Sequence, residues 1–145
     1  MAAINLVCPA CSTINRVPAE RLAQAPVCGA CHKPIFTAHP LSVDENALIR
    51  HIQNDGVDVL VDIWAPWCGP CNAMAPHYEQ AAAQLEPRMR LLKLNADTAP
   101  ATMTKYAVRS IPTLLLFSGG ALKAQNAGAM TTPQILQWVR RQATT

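Results

Sequence analysis

The 145-residue chain has no apolar run approaching the roughly 18 residues that a membrane span needs. Its first residues, Met1-Ala2-Ala3-Ile4-Asn5, carry neither a charged n-region nor an apolar h-region, so no signal peptide is expected and the chain reads as cytoplasmic. Charge is also scarce. Only 14% of residues are charged, the formal net charge is +3, and no block of five or six basic residues occurs. Such a balance gives nucleic acid or an anionic membrane nothing to hold, and neither is expected as a partner. Hydrophobic residues make up 50% of the chain, which is enough for a real core. The length fits one domain, or a small domain with a short module attached.

Cysteine is present, and its arrangement is informative. The six cysteines form three Cys-x-x-Cys pairs, Cys8/Cys11, Cys28/Cys31 and Cys68/Cys71. Without an export signal, such pairs point to metal or redox work rather than to structural disulfides. The first two pairs are separated by sixteen residues, within the range for a four-thiolate zinc site. Each short knuckle offers two thiolates to one tetrahedral ion, and the loop between brings the knuckles together. Residues 1–35 show no long apolar period and are too few to fold without help, so a structural zinc held by Cys8, Cys11, Cys28 and Cys31 is expected to stabilise them. Disulfides or free thiols are the plainer alternative. Cys28-Gly29-Ala30-Cys31-His32 also matches a haem-attachment pattern, but that reading strands Cys8 and Cys11 and normally requires export. His32 is expected to be a solvated neighbour, because four thiolates already close the site.

The third pair ends the stretch Val59-Leu60-Val61-Asp62-Ile63-Trp64-Ala65-Pro66-Trp67-Cys68-Gly69-Pro70-Cys71. Its first part reads as a central parallel strand buried on both faces, broken only by Asp62. Gly69-Pro70 stops the strand, and Pro70 suits the first turn of a helix. Cys68 then lies at a helix N-terminus, where unpaired amides and the macrodipole favour a thiolate. Cys71, one turn deeper on the same side, is close enough for a disulfide with Cys68. A carboxylate such as Asp62, set in an apolar strand, should have its pKa raised by desolvation, which suits it to proton exchange near neutrality. A core aspartate held only by backbone hydrogen bonds is the alternative.

Trp67-Cys68-Gly69-Pro70-Cys71, preceded by Val61-Asp62-Ile63-Trp64-Ala65, strongly resembles the active site of the thioredoxin family. The resemblance runs from about Phe36 to the C-terminus, and with the four-cysteine module it is to the zinc-containing thioredoxin-2 type. It implies a thiol–disulfide oxidoreductase that reduces protein disulfides, with Cys68 attacking, Cys71 resolving and Asp62 assisting the buried cysteine. It also implies a Cys68–Cys71 redox disulfide, recharging by a thioredoxin reductase, and a monomer. Lys93 matches a lysine that pairs with the aspartate; a solvated strand-end lysine is the alternative. Trp67, Gly69, Pro70, Ile111, Pro112 and Gly128 match the groove for an extended substrate segment, with Ile111-Pro112 matching a cis bond that faces the cysteines. Asn72 departs from the lysine of many members and removes a positive charge beside the site. Two rival readings share these residues: a zinc-dependent binding or chaperone module, and a disulfide-forming oxidase, against which Gly69-Pro70 and the missing export signal both count.

The remaining pattern fits a mixed sheet flanked by helices, an α/β thioredoxin fold after a zinc module, with a boundary near residue 35. Ile35-Phe36-Thr37 reads as a short strand. Ser42 and Glu45 read as a capping box for a helix that buries Leu48, Ile49 and Ile52 and ends before Asp55-Gly56. A helix from Cys71 to about Leu85 contains Pro76, expected to kink it. Strands follow at Arg90–Asn95 and up to Phe117, then a Gly119-Gly120 hairpin and a returning strand to Gly128. Thr131 and Gln134 cap a last helix that turns Ile135, Trp138 and Val139 inward, with Arg140-Arg141 at its negative end.

Overall fold

The computed structural model describes residues 2–143. The chain begins with a hairpin of β1 (Ala3–Val7) and β2 (Ile14–Pro18), followed by the two cysteine knuckles and a linker. Then come β3 (Leu41–Val43), α1 (Glu45–Asn54), β4 (Asp58–Trp64), α2 (Gly69–Leu85), β5 (Met89–Asn95), α3 (Pro100–Lys105), β6 (Thr113–Ser118), β7 (Ala121–Ala127) and α4 (Thr132–Ala143). The five later strands form one sheet in the order β3-β5-β4-β6-β7. β3, β5 and β4 run parallel, while β6 and β7 are antiparallel to their neighbours.

Period-two alternation divides β4 between two cores. Val59, Val61 and Ile63 pack with Leu48 and Ile52 of α1 and with Val108. Leu60 faces the other way, against Met74 and Tyr78 of α2 and Ile135 and Trp138 of α4. Asp62 shares the parity of Leu60 and so points toward the α2 and α4 side. The Tyr78 hydroxyl, fully buried, is 3.0 Å from the Leu60 carbonyl and 2.8 Å from that of Leu92, and its proton ties α2 to both central strands.

Three local expectations give way to tertiary pairing. No strand forms at Ile35-Phe36-Thr37; Ile35 is buried instead with Leu6, Cys8, Val17 and Cys28, and its amide bonds to the Pro26 carbonyl. Ser42 does not cap α1, because it lies in β3 opposite Lys93; Asp44 is the N-cap and accepts from the Ala47 amide at 2.8 Å. Ile49 is 46% exposed, while His51 takes the buried position on that helix. The second capping box forms as expected, with the Thr131 amide donating to Gln134 at 2.9 Å.

Candidate active site and metal centre

Strand β4 ends at Trp64, and Cys68 becomes the N-cap of α2, with Pro70 in the helix's first turn. Its sulfur accepts the Cys71 amide at 3.2 Å, and Cys68 and Cys71 are joined as a disulfide with their Cα atoms 5.2 Å apart. Both are almost covered, Cys68 at 5% exposure and Cys71 at 2%, in a small cluster with Ala65 that Trp64 and Ile111 pack against. An amide aimed at a sulfur at a helix start is an arrangement that stabilises negative charge on that sulfur.

The expected groove residues gather around this pair. Ile111-Pro112 is a cis bond, and the Ile111 carbonyl is 3.8 Å from the Cys68 sulfur. Gly128 donates its amide to the Pro112 carbonyl at 2.9 Å, with φ of +111°, a conformation that favours glycine. Trp67 is 69% exposed, yet its indole N–H is fixed by the Asp97 carboxylate at 2.9 and 3.2 Å. Asn72 turns its amide back to the Pro66 carbonyl at 3.1 Å.

Asp62 is 1% exposed, and among the described residues neither carboxylate oxygen has a hydrogen-bond partner. Burial raises its pKa to about 7, against an opposing pull from Lys93, its register partner in β5. The Lys93 ammonium itself lies 4.5 Å over the Trp64 ring. A carboxylate held by backbone hydrogen bonds, the bland alternative for Asp62, is therefore not what the chain builds.

The other four cysteines converge at the far end of the molecule's first segment. The sulfurs of Cys8, Cys11, Cys28 and Cys31 all lie within 4.8 Å of one another. Cys8 to Cys31 and Cys11 to Cys28 are both 3.6 Å, close to the roughly 3.8 Å that four sulfurs at about 2.3 Å from one tetrahedral ion would show. The two knuckles are conformational copies. Ser12 donates to the Cys8 carbonyl as His32 does to that of Cys28, and the Ala10 and Ala30 amides each sit 3.4 Å from a cysteine sulfur. Ser12 and His32 adopt the same left-handed φ, +67° and +64°, and His32 is exposed and outside the four-sulfur cluster. Hydrogen bonds from the Cys31 backbone and the Asn15 side chain bring Cys28 down to about 6. Cys31 is pushed up to about 11: the Lys33 amide opposes the rise, but burial and the neighbouring thiols outweigh it. Four thiols so crowded cannot all ionise unless a cation joins them, and that is the donor set of a structural zinc site.

Residues 39–141 match the family model described as Thioredoxin, and residues 7–33 match a zinc-ribbon model described as Thioredoxin 2, N-terminal. The chain belongs to the thioredoxin family. It is 39% identical to thioredoxin C-3 of Corynebacterium nephridii over 137 residues, which is 94% of either chain. It is 40% identical to a thioredoxin of Acidithiobacillus ferridurans over 70% of its own length and 94% of that protein. A chloroplastic M-type thioredoxin of Chlamydomonas reinhardtii is 35% identical over 74% of this chain and 76% of its own. The protein is accordingly a thiol–disulfide oxidoreductase, a thioredoxin fold preceded by a four-cysteine ribbon. Among the described residues, no helix is long and apolar enough to cross a membrane.

Two features of this thioredoxin had no sequence signal. Asp97 is an exposed acid after a strand, and nothing local links it to Trp67, thirty residues earlier. Arg90 reads as a polar start to β5 but is completely buried.

Proposed function

We propose that the protein reduces disulfides in other proteins and is recharged by a thioredoxin reductase. The observation that carries this is the Cys68 sulfur at the N-cap of α2, accepting the Cys71 amide. In the reduced form the Cys68 thiolate attacks one sulfur of a substrate disulfide. A mixed disulfide forms, and the other substrate sulfur leaves as a thiolate that takes up a proton. Cys71 passes its proton to Asp62 and attacks the Cys68 sulfur, which releases the second substrate thiol and leaves the Cys68–Cys71 disulfide. Two electrons from the reductase restore the dithiol. Lys93 tempers the basicity of Asp62, and Trp67, Gly69, Pro70, Ile111, Pro112 and Gly128 line the groove for an extended substrate segment. The monomeric state and cytoplasmic location are part of the same reading.

The potential of the Cys68–Cys71 couple tests this against a disulfide-forming oxidase. Equilibration with a thiol buffer should give a reducing value near the −270 mV or so already known for thioredoxins. A value above about −180 mV would favour the oxidase.

We further propose that Cys8, Cys11, Cys28 and Cys31 hold one structural zinc ion, which cross-links the two knuckles of a segment too small to fold alone. The division falls near residue 35, with all redox residues in 36–145. A chain lacking residues 1–34 should therefore still reduce insulin. It should unfold at lower denaturant concentration than the full chain, because the deletion strips the cover from Arg90 and Val57. A truncated chain that is folded but inactive would place the ribbon inside the catalytic machinery.

A further inference from the structure

The ribbon is fastened to the sheet by one buried ionic cluster. Val7, the last residue of β1 and the one before Cys8, has both backbone groups committed there. Its amide donates to Asp55 at 2.8 Å, and its carbonyl accepts from Arg90 at 2.9 Å. Arg90 donates through a second arm to the Ile35 carbonyl at 2.6 Å and through Nε to Asp55 at 3.2 Å, with its guanidinium 4.3 Å over the Phe36 ring. His51 closes the cluster, its Nδ1 2.6 Å from Asp55. The Arg90 and Asp55 side chains are both 0% exposed.

The direction of these bonds matters. Apart from their mutual contact and His51, the side-chain hydrogen bonds of Asp55 and Arg90 go to backbone groups at the two ends of the ribbon. A buried ion pair is seldom the most stabilising choice for its volume; its best-attested use is to fix one arrangement among several. Two further contacts act in the same direction. Arg50 donates to the Ser12 carbonyl at 2.8 Å, one residue beyond Cys11. Gly56 donates to the Asn5 carbonyl at 2.6 Å and lies so close to β1 that an added Cβ would come within 3.0 Å of Ile4.

We infer that Arg90 and Asp55 are positioning residues for the four-cysteine site: by fixing Val7 and Ile35, where the chain enters and leaves the ribbon, they raise its affinity for zinc. The inference rests on the zinc reading proposed above. Ordering the backbone before the ion arrives lowers the ordering cost on binding, and groups that orient metal ligands without touching the ion typically carry about 10–100-fold in affinity.

The test is zinc competition against a chromogenic chelator in the full-length chain, with hydrogen exchange at β4 and β6 as the control for the fold. Arg90→Met and Asp55→Asn should weaken zinc binding by about 10–100-fold, with protection in β4 and β6 retained. Arg50→Ala removes one exposed hydrogen bond and leaves the core alone; it should weaken binding about fivefold. If the wild-type chain binds no zinc, the zinc reading itself fails. If it binds and the folded variants stay within twofold of it, the positioning role is overturned. The role is equally overturned if zinc affinity and sheet protection fall together, since the cluster would then be general stabilisation. Should Arg90→Met fail to fold, Asp55→Asn and Arg50→Ala decide by the same criteria.

Discussion

Replacing Cys71 with serine should convert the protein from a turnover reductase into a trap. Cys68 keeps its place at the N-cap of α2, and the Cys71 amide that it accepts belongs to the backbone, which serine preserves. Attack on a substrate disulfide therefore proceeds. The second step does not, because a serine hydroxyl near its ordinary acidity is no nucleophile toward a disulfide. Insulin turnover should fall by orders of magnitude, and mixed disulfides with partner proteins should accumulate on non-reducing gels. Cys68→Ser should abolish turnover and trap nothing. The nearly equal cover of the two residues, 5% and 2% exposed, gives this assignment little support from exposure. It rests on the cap position and the amide. Trapping by Cys68→Ser and not by Cys71→Ser would reverse the two roles.

How much of this was legible beforehand follows from how local each feature is. The second capping box closes within four residues, Thr131 to Gln134, and could be read directly. Ser42-x-x-Glu45 has the same lettering and does not form, because Ser42 is claimed by pairing with Lys93, about a third of the chain away. Glu45 is used as well, but its carboxylate accepts the amide and hydroxyl of Thr102 at 2.8 and 3.0 Å and so pins α3. The redox pair was legible because strand, stop and helix start follow one another without a gap. The two knuckles were legible from spacing, though their identical turns at Ser12 and His32 were not. The Arg90 cluster could not be read: its contacts to Val7, Ile35 and Asp55 span 83, 55 and 35 residues. A charged residue opening an apolar strand ordinarily means a solvated edge. Here it means a joint between two parts of the chain.

Asp62→Asn should make the protein more stable and slower, by amounts that depend on pH in opposite experiments. The carboxyl's pKa is raised by burial from 3.8 to about 7 in the folded chain, with Lys93 pulling the other way. Between those two values the unfolded chain has already lost the proton that the folded chain still holds. Stability therefore falls as pH rises through this window, at about 1.4 kcal/mol per unit, and the accumulated penalty of about 4 kcal/mol is complete above pH 7. Asparagine has no proton to lose and carries none of it. Against that stands the cost of an unpartnered amide in the same place, on the order of 1–3 kcal/mol. The net expectation is a variant about equal to wild type or weaker at pH 4, and more stable by roughly 1–3 kcal/mol at pH 8. Denaturant midpoints measured across pH 4 to 8 give the comparison. A difference that does not change with pH would mean that Asp62 does not titrate in that window. Turnover should show the complementary pattern. The carboxylate becomes available as a base only as pH rises through about 7, so wild type should outpace the variant most between pH 7 and 8. Equal turnover across pH 6 to 8 would remove Asp62 from the proton path and leave it as a buried acid tolerated for other reasons.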